Sequence, residues 1–130
     1  MLDGAAVLVG GAIGTSARLG IDVLVPHGDR GFPFSTLLIN VVGAFALGVL
    51  IARLWPSASS WVKAGLGAGL LGSFTTFSAL AVSLVALGSA GDWPTAVVYL
   101  TLSLALGLGA AALGLRLGRA PRQPIDMVDE

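Results

Sequence analysis

The sequence contains no cysteine, a single histidine and few charged residues, which make up 11% of its 130 positions. Without cysteine, the chain can form no disulfide framework, no thiol nucleophile and no thiolate metal site. Its seven basic and seven acidic residues balance to zero net charge, and the basic residues form no patch interleaved with aromatics. We therefore expect no nucleic-acid partner. We also expect no enzyme, because no nucleophile, base and orienting group can be assembled from these residues.

Hydrophobic residues make up 55% of the chain, a fraction too high for a soluble domain of this length. They fall into four segments, each long enough, at about 20 residues, to cross a bilayer as a helix. The sequence predicts an all-α, multi-pass protein of the cell membrane, in contact with lipid, with a single four-helix transmembrane domain over residues 1–118 and a disordered polar tail over 119–130. The predicted spans are residues 5–25, 35–54, 61–87 and 95–117.

The middle of the third predicted span combines a glycine with hydroxyl residues, in the string GLLGSFTTFS at 69–78. Four hydroxyl side chains fall within the six residues that follow Gly72. Loosened backbone at mid-membrane is tolerated only where it is buried in protein or lines a cavity. The pattern predicts a helix break from Gly72 to Thr76 that offers carbonyls or hydroxyls to an ion or polar solute. The alternative is a continuous helix whose hydroxyls bond to the preceding turn.

The second predicted span carries a primary amide deep in the membrane. Asn40 lies roughly 7 Å from the middle of the span, at 1.5 Å of rise per residue, and Thr36 lies one turn before it on the same face. An amide at this depth must hydrogen-bond to another helix or to a permeating solute, because an unpaired one is costly in hydrocarbon. From the residues alone, bonding between helices is the favoured interpretation.

The other two spans also carry polar side chains, each with two interpretations. Arg18 reaches the membrane interface and pairs with Asp22 one turn later, or it gives a water-filled vestibule a positive potential that attracts an anion. Tyr99 and Ser103 form a hydroxyl face that is either a polar track or a helix contact. Phe77 is a packing residue, or its positive ring edge faces an anion.

Close helix packing is predicted for the first span, because Gly10 and Gly14 form a small-xxx-small pair. The distribution of basic residues predicts that both termini are cytoplasmic, because lysine and arginine concentrate on that side. Two basic residues, Arg18 and Arg30, fall on the opposite side. Five fall on the side shared by the termini and the middle loop: Arg53, Lys63, Arg116, Arg119 and Arg122.

Taken together, these residues resemble the Fluc (CrcB) family of fluoride ion channels. The resemblance rests on the strings GGAIGTSAR at 10–18, STLLINVVG at 35–43 and GLLGSFTTFS at 69–78. It implies an antiparallel dimer of four-helix subunits with two fluoride pathways at the interface, through which fluoride leaves the cell passively and so confers fluoride resistance. It also implies a structural sodium ion held by main-chain carbonyls at the third-helix break, here those of Gly72 and Thr75 from each subunit.

The resemblance also implies roles for individual side chains. Asn40 is expected to be the pore amide, Phe77 a member of an aromatic set whose ring edges meet fluoride, and Arg18 a vestibule residue. Tyr99 and Ser103 are expected to begin a hydroxyl track. The complete fluoride pathway expected for this chain is Asn40, Phe77, Thr36, Tyr99, Ser103 and Thr76.

Two positions depart from the pattern of the family. Leu80 stands where the family has a second phenylalanine, and Gly107 stands where the hydroxyl track continues. Because both changes fall on pore positions, one hypothesis is that one pathway of a dimer has lost conduction while the other conducts. This leaves two arrangements open: a dual-topology homodimer, and a heterodimer with a homologous subunit of opposite orientation.

Two other functions fit a chain of this kind. A small multidrug exporter also forms antiparallel dimers, but it needs a membrane-embedded carboxylate, and Asp22 lies only at the end of a span. In a non-conducting membrane assembly subunit, the polar residues would serve only to hold helices together, and no pairing would produce flux.

Overall fold

The computed structural model describes residues 1–25 and 31–119, and within these ranges every regular element is a helix. Four helices are long and apolar enough to cross a membrane, which confirms the predicted all-α membrane fold. The predicted tail, 119–130, lies outside the described residues except for Arg119. The four spans are Leu2–Leu24, Phe34–Arg53, Ser60–Ser89 and Trp93–Gly118.

The first two spans and the last are continuous helices, which we name α1 (Leu2–Leu24), α2 (Phe34–Arg53) and α6 (Trp93–Gly118). The start of α6 is set by Asp92, whose carboxylate accepts a hydrogen bond of 3.3 Å from the Thr95 amide. Pro94 lies in the first turn, where its missing N–H costs nothing.

The third span is built from several pieces. It begins with α3 (Ser60–Lys63), widens into a π-helix (Ala64–Leu71), and continues as the short α4 (Gly72–Phe74) before α5 (Phe77–Ser89). Thr75 and Thr76 between them are extended, with φ/ψ of −75°/154° and −146°/110°. The interruption is therefore shorter than predicted: Gly72, expected to begin the break, has the helical angles −64°/−30°.

The first span packs on the π-helix through backbone contact. A Cβ added at Gly10 would collide with the Gly65 carbonyl oxygen, and one added at Gly14 would collide with the Leu70 carbonyl oxygen. Gly69 faces the Val7 backbone in the same contact. The close approach predicted from the Gly10 and Gly14 spacing is thus present, with the glycine-rich π-helix as its partner.

A second glycine contact joins α2 to α6. A Cβ at Gly48 would meet the Ala111 carbonyl oxygen, and one at Gly114 would meet the Phe45 carbonyl oxygen. The two contacts place α1 with the first half of the third span and α2 with α6. The Thr75–Thr76 interruption lies where these two helix pairs meet, beside Gly43 of α2.

An apolar core between α5 and α6 surrounds Tyr99, which is completely buried. Leu80, Leu87 and Ala96 pack with it, and Phe32 contacts its ring edge-on with centroids 5.4 Å apart. Many other large apolar side chains are exposed on a single chain. For a membrane protein these are the surfaces that lipid or a partner covers.

Candidate ion pathway and cation site

The amide of Asn40 bonds to both backbone groups of Thr76. Its Oδ1 accepts the Thr76 N–H at 2.8 Å, and its Nδ2 donates to the Thr76 carbonyl at 3.1 Å. The side chain thus pairs with one extended residue as a neighbouring strand would. This contact is the helix-to-helix bonding that the sequence favoured for Asn40. One N–H of the amide is not used in it and is available to another partner.

Thr76 is also the N-cap of α5. Its Oγ1 accepts a hydrogen bond from the Ala79 N–H at 3.1 Å and lies 3.1 Å from the Ser78 hydroxyl. A capping threonine stabilises a helix start by about 1 kcal/mol. The extended backbone before it and the cap together explain why the third span restarts at Phe77 rather than continuing from α4.

Side chains therefore accept two of the amides at and after the break. In an uninterrupted α-helix, the Thr76 amide would pair with the Gly72 carbonyl and the Ala79 amide with the Thr75 carbonyl. Both amides instead donate to side-chain oxygens. Unwound carbonyls of this kind are a recurring sodium ligand in broken membrane helices. The described residues contain no cluster of three or more histidine or acidic side chains that could bind a metal instead.

A groove of about 410 Å³ opens beside the break on the surface of the single chain. It brings together five of the residues expected from the sequence, and one of them, Phe77, has 80% of its surface accessible. Leu80 also lines the groove, but it is 9% exposed and packs into the Tyr99 core. The five expected residues that line the groove are Asn40, Gly72, Thr75, Thr76 and Phe77.

A second cavity of about 320 Å³ connects α1 to the break. Arg18 and Asp22 line one side of it, and Thr36, Thr76 and Ser78 line the other. Arg18 is partly buried, and within the described residues no ion pair joins it to Asp22. The ion pair that the sequence allowed for these two residues is therefore absent from this part of the chain, and both charged side chains line the same cavity.

A cluster of hydroxyl groups lies behind the break, between α2, α5 and α6. The side chains of Thr36, Ser83 and Ser103 surround the Tyr99 hydroxyl. Even so, the Tyr99 and Ser103 hydroxyls have no hydrogen-bond partner of ordinary geometry among the described residues, although both oxygens are buried. Buried hydroxyls without partners are rare, because burial without a bond is costly.

Ser83 is a member of this cluster that the sequence analysis did not assign to the pathway. The available signal was its spacing, because Ser83 follows Thr76 by two helical turns and lies on the same face of α5. The hydroxyl cluster, the Arg18 cavity and the groove are linked by shared residues. Thr36 belongs to the cluster and lines the Arg18 cavity, and Thr76 lines both the Arg18 cavity and the groove. Tyr99 and Ser103 line neither cavity.

Comparison with known proteins identifies this arrangement. Residues 5–115 match the family model described as CrcB-like protein, Camphor Resistance (CrcB). A relative from Paracoccus denitrificans, named fluoride-specific ion channel FluC, is 40% identical over 113 residues, which cover 87% of this chain and 91% of the relative.

Two further relatives carry the same name. One from Thermus thermophilus is 41% identical over 116 residues, covering 88% of this chain and 93% of the relative. One from Gloeobacter violaceus is 44% identical over 119 residues, covering 88% and 94%. Since the family model and these relatives match nearly the whole transmembrane part of the chain, the protein belongs to the CrcB family.

Proposed function

We propose that this protein is a fluoride-selective channel through which fluoride leaves the cell passively, conferring resistance to the ion. The observation that carries the proposal is the position of Thr76, which lines both the groove and the Arg18 cavity at the break in the third span. Polar groups therefore meet in the middle of an otherwise apolar bundle. The fluoride-specific channels named among its relatives match it over nearly their whole length.

The side chains along this route have the chemistry that a small anion requires. Fluoride is strongly hydrated, so a pore must replace water with hydrogen-bond donors. The second Asn40 N–H and the hydroxyls of Thr36, Thr76, Tyr99 and Ser103 are such donors. Phe77 adds a ring edge, which is the positive part of the aromatic quadrupole. Its high exposure suits a side chain that meets an ion or a partner subunit.

Arg18 would act at the entrance of the route. Within the described residues it forms no ion pair with Asp22, and the cavity that it lines also reaches Thr76. A positive potential at a narrow entrance raises the local concentration of anions and the rate at which they enter. Arg18 thus attracts fluoride to the route.

The Gly72 and Thr75 carbonyls would hold a sodium ion. One chain offers two such carbonyls, so an antiparallel partner would complete the set by contributing the same pair. When bound, the ion supplies a fixed positive charge near the pathway and links the two subunits. The partner is a second copy or a homologous subunit. The excess of basic residues on the side of the termini, five against two, supports cytoplasmic termini for a subunit of fixed orientation.

The test is a comparison of variants in liposomes loaded with fluoride. We expect Asn40→Asp to abolish efflux, because a carboxylate repels the anion and lacks N–H donors, and Phe77→Ile to reduce it strongly. Val97→Ala is the matched control, since Val97 is exposed on α6 and lines neither cavity. Equal efflux from all three variants would overturn the assignment of the pathway.

A further inference from the structure

Two side chains accept the backbone amides just after the break in the third span. The Thr76 N–H donates to Asn40 Oδ1 at 2.8 Å, and the Ala79 N–H donates to Thr76 Oγ1 at 3.1 Å. The helical partners of these amides would be the Gly72 and Thr75 carbonyls. Among the amides that lose their helical partners at the break, these two are the ones that would otherwise occupy the two carbonyls of the proposed sodium site.

We infer that Asn40 and Thr76 are positioning residues for this cation site: they keep the Gly72 and Thr75 carbonyls out of helical pairing and so free for the ion. The inference rests on the proposed sodium site and adds a role to Asn40 beyond that of a pore amide. Asn40 controls the Gly72 carbonyl by accepting the Thr76 amide. Thr76 controls the Thr75 carbonyl by accepting the Ala79 amide.

The geometry around Thr76 explains why this arrangement is stable. Asn40 also donates to the Thr76 carbonyl at 3.1 Å, so the extended residue is held from both sides. Thr76 itself is buried, which leaves little water to compete for its backbone groups. If either acceptor were removed, the freed amide would need a new partner, because a buried amide without one is costly. If the backbone then rewound, that partner would be the helical carbonyl, and pairing with it would compete with sodium.

The same side chain then connects two parts of the proposed channel. Asn40 lines the groove with Phe77 and also controls the Gly72 carbonyl. A loss of fluoride flux on mutation of Asn40 therefore cannot show which role was lost. Sodium binding gives an independent readout, because a ligand that binds only the folded protein raises its thermal stability with concentration.

The experiment measures thermal unfolding of the purified full chain in detergent at a series of sodium concentrations, with choline replacing sodium. The rise of the melting temperature with sodium concentration gives an apparent dissociation constant for sodium, which we call the sodium midpoint. The decisive pair is Thr76→Ser and Thr76→Val, which carry no charge. Serine keeps the oxygen that accepts the Ala79 amide, and valine removes it. We expect serine to keep the wild-type sodium midpoint and valine to raise it about three- to tenfold, the equivalent of one ordinary hydrogen bond.

A second pair tests Asn40. Asn40→Leu removes the acceptor for the Thr76 amide and should raise the sodium midpoint by a similar factor. Asn40→Asp keeps the acceptor and adds a negative charge, so it should bind sodium at least as tightly as the wild type while losing fluoride flux. Thr36→Val is the matched control: it removes a pathway hydroxyl that contacts neither carbonyl, so flux should fall with no change in midpoint.

The outcomes separate this inference from the proposed function. A wild-type protein whose stability does not depend on sodium would overturn the sodium site and the inference with it. A sodium-dependent wild type with unchanged midpoints in Thr76→Val and Asn40→Leu would overturn the inference alone. If Asn40→Leu does not fold, the Thr76 pair decides the question.

Discussion

Gly14 of α1 lies directly against the Leu70 carbonyl of the π-helix, with no room for a methyl group between them. Both groups in this contact are backbone, so neither can move aside as a flexible side chain would. The first half of the third span is positioned by this contact, just before the short helix that carries Gly72. The location of the break therefore depends on the absence of a side chain in a different helix.

Gly14→Ala should destabilise the protein by about 1–3 kcal/mol, the usual cost of forcing an extra methyl into a tight contact. Gly20→Ala on the same helix is the control, because nothing lies within 4 Å of its Cβ position. That change should be neutral or slightly stabilising, since alanine favours helix. Thermal unfolding of both variants in detergent checks the prediction, and equal melting temperatures would contradict the contact.

Tyr99→Phe should lower fluoride flux without lowering stability. The Tyr99 hydroxyl is buried and has no partner of ordinary geometry in the described part of the chain, so its removal also removes a desolvation cost of about 1–3 kcal/mol. Phenylalanine keeps the ring contacts with Phe32 and Leu80. A marked drop in melting temperature with unchanged flux would mean that the hydroxyl serves folding instead of transport.

Phe77→Leu should reduce fluoride flux by about three- to tenfold, the range expected for loss of a favourable contact with an aromatic ring. Stability measured on the single chain should change little, because the side chain is 80% exposed. Leu80→Ala is the opposite case, since Leu80 is 9% exposed in the Tyr99 core and its truncation should cost about 2–5 kcal/mol. Thermal unfolding and liposome flux, measured on both variants, separate the two roles.

Arg18→Gln should lower fluoride flux most at low ionic strength, because the effect of a fixed charge on an approaching anion is screened by salt over about 10 Å at 0.1 M. Arg18→Lys keeps the charge and should retain most of the flux. Flux measured at several concentrations of an impermeant salt tests this. A reduction that does not depend on salt would indicate that Arg18 supports the structure of the cavity rather than attracting the ion.

The sequence predicted the four spans and the location of the break more successfully than the contacts within the site. Apolar length alone predicts a membrane helix, and the glycine and hydroxyl string near Gly72 signals weakness at mid-membrane. The extent of the break could not be predicted, because the extended Thr76 pairs with Asn40, a residue of another helix. The π-helix before it has no signal in the sequence beyond its glycines.

Two features of the site depend on tertiary contacts in the same way. Ser83 joins the hydroxyl cluster only because α5 packs beside Tyr99 of α6. Leu80 stands at a position where the resemblance implies a pore residue, and the fold places it partly in the core and partly in the groove. Spacing along one helix gives the face of a residue, but the neighbours of that face come from other helices.

The most direct test of the account is fluoride efflux from liposomes that contain the purified chain, alone and together with a homologous subunit, measured with a fluoride electrode beside a chloride control. We predict rapid fluoride efflux in at least one of the two preparations and none of chloride. Absence of fluoride efflux in both, from protein that is folded and inserted, would contradict the account.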